Sequence, residues 1–260
     1  MTLTGFDLPR PVRRLAACVL AAAAAAGCTT NMSNIEGPRA NAIPTAYPWN
    51  SMIYAARTDA GVVLVDLGWQ NAEDALRRGL AQIGARPEDV TDVFLTHSHR
   101  DHIAAWPLVR HARFHVGAGE DALFSGRAGH ADSPSRLAEI GIGNPAPWPG
   151  EVNVRAFQRD TMFVLGADTV RAFVVPGHTA GSAAYLFRGV LFAGDAVNRS
   201  YFTGFRPGFP IFHDDEHLNR ASLAELFERV KPYDVQWVCT AHGKCARPDE
   251  RFMQKVLGRD

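Results

Sequence analysis

The apolar positions of the chain fall into short runs separated by turn-forming residues, with a few stretches at helical spacing. Residues 51–57 and 62–66 are two such runs, joined across Thr58-Asp59-Ala60-Gly61, where Asp-Ala-Gly supplies a hairpin signal. Asp92-Val93-Phe94-Leu95 reads as a buried strand running out into a loop, and Phe173-Val174-Val175, Val190-Leu191-Phe192 and residues 235–239 read as further strands. Residues 71–83 carry apolar positions near helical spacing behind Asn71, an N-cap candidate, and predict a surface helix over the first sheet. A second helix is expected to start across 103–109, its opening turn holding Asp101 and His102; 215–230 predicts an amphipathic helix, and a short helix closes the chain. No internal repeat and no later hydrophobic run long enough for a membrane span interrupts this pattern. About 210 residues of it fit one α/β domain with a sizeable core.

The residues that follow the strands carry the chemistry. Leu95-Thr96-His97-Ser98-His99-Arg100-Asp101-His102 packs four potential metal ligands into six positions behind a strand. Side chains two apart on extended backbone point the same way, so His97 and His99 can hold one ion together. Asp101 and His102 need a turn to face a second. His178, Asp195 and His242 each follow an apolar run with glycine or proline at the bend. Taken singly, each reads as an ordinary loop residue. Ligands on four loops converge only if their strands end on one edge, which is where α/β proteins build sites.

The series His-x-His-x-Asp-His, then Pro176-Gly177-His178-Thr179-Ala180-Gly181-Ser182, then Gly194-Asp195, then His242-Gly243 resembles the metallo-β-lactamase-fold hydrolase superfamily, over about residues 50–244. That resemblance implies a four-layer αβ/βα sandwich with metals at the open edge between its two sheets. It implies His97, His99 and His178 as ligands of a first metal, Asp101, His102 and His242 as those of a second, and Asp195 as a carboxylate bridging both. It also implies that Asp66, at the end of the second strand, orients a ligand histidine from behind. The other reading of Asp66 is a turn-forming residue.

This ligand set suits two zinc ions, although iron or manganese also accepts nitrogen and oxygen donors. Two close cations lower the pKa of a shared water, making a hydroxide nucleophile available near neutral pH, and Asp101 is placed to orient it and take its proton. Hydrolysis of an ester, lactone, thioester or amide of a small molecule is the expected reaction. Asp195 stands where the β-lactamase branches mostly carry cysteine or serine. Only 18 residues follow His242, too few for the helical glutathione-binding region of glyoxalase II. Acyl-homoserine lactonases match in ligands and size, as does much of the superfamily. The presence of both His102 and His242 speaks against a single-iron oxygenase, and an aromatic rim speaks against a zinc-binding lipoprotein without catalysis.

That rim is residues 198–210, which begin just after Asp195. Tyr201 or Arg206 there could polarise a substrate carbonyl, and Trp69 is a further pocket candidate. Phe202, Phe205 and Phe209 either line the pocket or pack the loop down, and Trp106 is either core or pocket wall. Residues 125–150, broken by Ser, Gly and Pro, are expected to form a lid, with His130 on the lid or surface and not a ligand.

Arg10, Arg13 and Arg14 precede an uncharged alanine-rich run, 15–26, too short to span a bilayer, which is the layout of a signal peptide over residues 1–27. Ala25-Ala26-Gly27-Cys28 resembles the cleavage box of bacterial lipoproteins, implying a lipidated Cys28. An ordinary signal peptide would leave Cys28 a free thiol. Export to the periplasm follows from either; with the lipid, Thr29 in place of aspartate favours the outer membrane. Residues 28–48 read as a flexible tether, leaving 49–260 as the domain. Membrane contact is then through the lipid alone.

Charge narrows the partners. The chain has 27 basic and 27 acidic residues, and removing Arg10, Arg13, Arg14 and Asp7 leaves 24 against 26. Such a balance lacks the footprint of a nucleic-acid binder and leaves a small-molecule substrate; it says nothing of oligomeric state. Cys239 and Cys245 remain within the domain, either paired across the His242 loop or as two buried thiols.

Overall fold

The computed structural model describes residues 41–46, 51–124, 152–200, 204–243, 245–248 and 250–256. The leader, Cys28, the expected lid with His130, and Tyr201 with Phe202 lie outside the described residues.

Two sheets stack face to face. The first holds β1 (Asn41–Thr45), β2 (Ser51–Thr58), β3 (Gly61–Val65), β4 (Val90–Phe94), β5 (Arg113–Gly117) and β6 (Asn153–Phe157) in that spatial order. Its first two pairings are antiparallel and the remaining three parallel. The second is an antiparallel meander of β7 (Thr161–Leu165), β8 (Asp168–Val174), β9 (Ala183–Phe187) and β10 (Val190–Phe192). The chain then makes a separate hairpin of β11 (Val197–Ser200) and β12 (Gly204–Pro207) and returns as β13 (Trp237–Cys239), parallel to β10. The helices are α1 (Ala72–Gln82), α2 (Glu120–Phe124), α3 (Glu216–Val230) and α4 (Glu250–Val256).

Packing explains the layering. Tyr54, Val63, Phe94, Tyr185 and Phe192 fill the space between the sheets, so β2 and β9 are buried on both faces and carry few polar residues. The stripe Ala72, Ala75, Leu76 and Leu80 of α1 covers the outer face of the first sheet, against Ile43, Leu64 and Val93. Leu223, Leu226, Phe227 and Val230 of α3 cover the second, against Leu186, Leu191 and Val238. Each large apolar side chain so buried contributes roughly 1.5–3 kcal/mol. Helix, sheet, sheet and helix make the four-layer αβ/βα sandwich. Gly79 lets α1 approach closely: a Cβ there would lie 2.3 Å from Ile43 Cδ1.

Three local expectations change. Residues 41–45, read as tether, form edge strand β1; Ala42 and Ile43 bury there, and Pro44 is tolerated because an edge strand need not donate from every position. The helix expected across 103–109 is instead two 3-10 turns, Arg100–His102 and Trp106–Val109. The Ala104 and Ala105 amides bond to the Gly68 and Leu67 carbonyls, which ties this segment to the first sheet and leaves no helical ladder. Asn71 adopts a left-handed φ of 60° and its side chain makes no cap bond.

Candidate metal centre

Four strand ends deliver the polar cluster to one edge of the sandwich. His97 and His99 follow β4; there the Ala183 amide bonds the Thr96 carbonyl at 2.8 Å and the Tyr185 hydroxyl bonds the Leu95 carbonyl at 2.7 Å, locking the loop to the second sheet. The 3-10 turn after it rotates Asp101 and His102 toward the same edge, held by the His102 amide to the His99 carbonyl and by the Ser51 hydroxyl to the Asp101 carbonyl. His178 follows β8 through Gly177, whose φ of +129° and closeness to Asn219 admit no side chain. Asp195 follows β10, and His242 follows β13. Tyr54 Oη reaches the Thr240 carbonyl at 2.8 Å, and Cys239 and Cys245 pair in a disulfide around the His242 loop.

Two groups of donors result. His97 Nε2, His99 Nδ1 and His178 Nε2 form a triangle with sides of 3.0, 3.1 and 3.1 Å. No arrangement of protons gives three mutually facing imidazole nitrogens a hydrogen bond on every side. A cation does: zinc at its usual 2.0–2.1 Å bond length holds tetrahedral nitrogens about 3.3 Å apart. In the second group His242 Nε2 lies 3.1 Å from both Asp101 Oδ2 and Asp195 Oδ2, and His102 Nε2 lies 3.8 and 3.6 Å from them. His102 Nε2 is buried and makes no hydrogen bond, an orphan that a metal would satisfy. Asp195 Oδ2 also lies 3.8 Å from His178 Nε2, so this carboxylate stands between the groups. Each group could hold one metal ion.

The electrostatics divide the same way. Burial, reinforced by His102 and the neighbouring imidazoles, holds His97 well below the usual histidine range, and burial with His99 does the same for His178. Both are neutral, as ligands of a cation must be. Burial opposes charge on His102 and His242 as well, but it is outweighed. Asp195, Asp101 and Asp66 push His102 up to about 10, and Asp195 and Asp101 raise His242. Burial opposes charge on Asp195 and Asp101 in turn, yet the facing histidines hold both carboxyls well below their usual range. Two ionised carboxylates beside one another are a socket for positive charge.

A second tier of residues braces the cluster. Asp66, at a left-handed φ of 57°, accepts from the Thr96 amide at 2.8 Å and faces His102 Nδ1 at 3.0 Å, directly behind that imidazole. His213, buried just before α3, has its Nδ1 3.1 Å from His178 Nδ1. Glu120, fully buried at the start of α2, accepts from the Thr179 hydroxyl and the Gly181 amide and also bonds Ser98, so one carboxylate clamps both loops of the first group. Burial raises the pKa of Glu120. Neither His213 nor Glu120 stood out in the sequence. Each lies far along the chain from the ligand it supports, and a single polar residue beside a helix start is ordinarily solvated.

The pocket candidates are scattered. Half-buried Trp69 sits beside the ligand loop, with the Arg100 guanidinium 5.3 Å from its ring centroid. Arg206 lies on β12 with its guanidinium 4.8 Å from the Phe209 ring centroid. Phe205 is buried under α3 and α4 while Phe209 is exposed, and Trp106 packs against the first core.

An α/β sandwich carrying at one edge a histidine–aspartate cluster that could hold metal ions defines the class of protein. The chain belongs to the metallo-beta-lactamase superfamily, whose family model matches residues 46–242. A probable metallo-hydrolase of Mycobacterium bovis, Mb2322c, is 30% identical over 234 residues, covering 72% of this chain and 73% of that protein. A probable polyketide biosynthesis zinc-dependent hydrolase of Bacillus velezensis, BaeB, is 27% identical over 154 residues, covering 57% of this chain; the match spans 56% of the Bacillus protein. The fold is shared with a metallo-beta-lactamase superfamily protein of Sulfolobus tokodaii at a TM-score of 0.62 and 20% identity, over 86% of each chain.

Proposed function

We propose that the chain is a zinc-dependent hydrolase that holds two ions and cleaves an ester, lactone, thioester or amide bond of a small molecule. The observation that carries this reading is the convergence of seven donors from four loops into two adjoining groups, one of imidazoles alone and one that adds two ionised carboxylates. His97, His99 and His178 would hold one ion, Asp101, His102 and His242 the other, and Asp195 both. When bound, the ions supply Lewis acidity and bring the pKa of water near neutrality.

The residues of the chain do the rest. His97, His102 and His178 are buried, whereas the Asp101, Asp195 and His242 side chains are 20%, 16% and 27% exposed, so substrate and water approach from the side of these three. Asp101, one Oδ facing His242, is positioned to accept the proton of an attacking water and return it to the leaving group. Burial of the imidazole floor keeps further water out.

Elemental analysis of the purified domain, with turnover of chromogenic ester, lactone and β-lactam substrates, tests the reading. About two zinc ions per chain and metal-dependent turnover are expected, and a chain that retains no metal would sink it. The proposal extends to location: an exported protein tethered to the outer membrane through Cys28. A Cys28→Ser variant should then move from the membrane fraction to the soluble periplasm.

A further inference from the structure

His178 uses both ring nitrogens. Nε2 faces His97 and His99 in the first donor group, and Nδ1 faces Nδ1 of His213 across 3.1 Å, the two rings lying almost perpendicular at 88°. An imidazole can offer a lone pair to a metal at Nε2 only if its proton is on Nδ1. That proton needs an acceptor, because the ring is buried.

The nitrogen that faces it is His213 Nδ1, 3.1 Å away. Burial lowers the pKa of His213, and a backbone hydrogen bond at Gly208 opposes that shift. Asn219 Nδ2 lies 3.5 Å from His213 Nε2, at the limit of a hydrogen bond, and bonds the Ala196 carbonyl at 3.2 Å. The backbone keeps the pair in register: the Asp214 amide bonds the His178 carbonyl at 3.1 Å, and the Asp215 amide bonds the Gly177 carbonyl at 2.8 Å. Gly208 also donates to the Ala196 carbonyl, next to Asp195. One bracket therefore joins the loops carrying His178 and Asp195 to the start of α3.

We propose that His213 is a positioning residue: its Nδ1 accepts the Nδ1 proton of His178 and so commits the His178 Nε2 lone pair, and the direction of that ring, to the first metal ion. The inference rests on the metal reading above and concerns only how this chain prepares one ligand. His213 touches neither ion nor substrate in this role.

The test compares His213→Gln, whose amide oxygen can still accept the proton, with His213→Leu, which cannot. Zinc affinity is measured by competition with a chelator, alongside the thermal midpoint of the metal-free proteins. The Leu variant should lose about 10–100-fold in affinity for the ion held at His97, His99 and His178, while the Gln variant stays within a few-fold of the natural chain and both metal-free midpoints agree. Nitrogen-15 spectra of the zinc-loaded natural chain should show His178 protonated at Nδ1, a readout independent of whether either variant folds. A natural chain that takes up no zinc overturns the metal reading and this proposal together. A natural chain that binds zinc, with the Leu variant binding it equally or the Gln variant failing as badly as Leu, overturns the positioning role alone.

Discussion

Asp66 and Asp92 are both buried carboxylates of the first sheet, and their partners give them different work. Asp66 stands behind His102, so its charge sets the orientation and basicity of a candidate ligand. Asp66→Asn keeps the shape and removes that charge; zinc affinity in chelator competition should fall about 10–100-fold. Asp92 is remote from the cluster. It takes two bonds from Arg113, at 2.7 and 2.8 Å, and one from His115 at 2.7 Å. Burial pushes the Asp92 carboxyl up, but the bonds to His115, Arg113 and Thr91 outweigh it and hold it well below the usual carboxylate range. A carboxyl depressed by folding stabilises fully above its unfolded value of about 4, and that contribution is lost as pH falls through the folded value. Asp92→Asn should therefore cost about 2 kcal/mol at neutral pH, with the deficit shrinking toward acid and zinc content unchanged; thermal melts from pH 7 to pH 3 measure it. A deficit that grew in acid would contradict this assignment.

At the scale of elements, the ligand loops differ in how they are held. The His97 and His178 loops are fastened to each other through Glu120 and the bonds from the second sheet. The His242 loop leans on Tyr54 and on the Cys239–Cys245 disulfide. The double variant Cys239→Ser/Cys245→Ser frees a short loop and should lose about 2 kcal/mol in the chain-entropy account. Faster amide exchange confined to the His242 loop would accompany it; exchange spread evenly over the domain would assign the disulfide a global role instead. Strands β2, β3, β4, β8, β10 and β13 were legible from apolar runs, because burial demands such runs; the half-exposed β6 and β7 were not. The turns after the first motif were not, since their backbone bonds go to Leu67 and Gly68, a distant loop that no local pattern reveals.

Across the whole molecule, the cluster couples metal binding to folding. The donors come from both sheets, so an ion held by them binds only the folded chain. Zinc at 100 times its dissociation constant should add about 2.7 kcal/mol of stability, read as a rise in thermal midpoint over the chelator-treated protein. An unchanged midpoint would mean that the cluster takes up no ion at that concentration. The sequence by itself determined the α/β class and six of the strands in their order along the chain, and put forward the seven donors as candidates, because strand burial and ligand spacing in the first motif are local patterns. Only tertiary structure decided that β1 belongs to the sheet, that the two cysteines pair, that Asp66 faces His102 rather than serving its turn alone, and that Glu120 and His213 stand behind the cluster. The reason is physical: Glu120, His213 and Asp66 meet their partners across 61, 35 and 36 positions of chain, and the cysteines, six apart, pair only where the folded loop brings their sulfurs together.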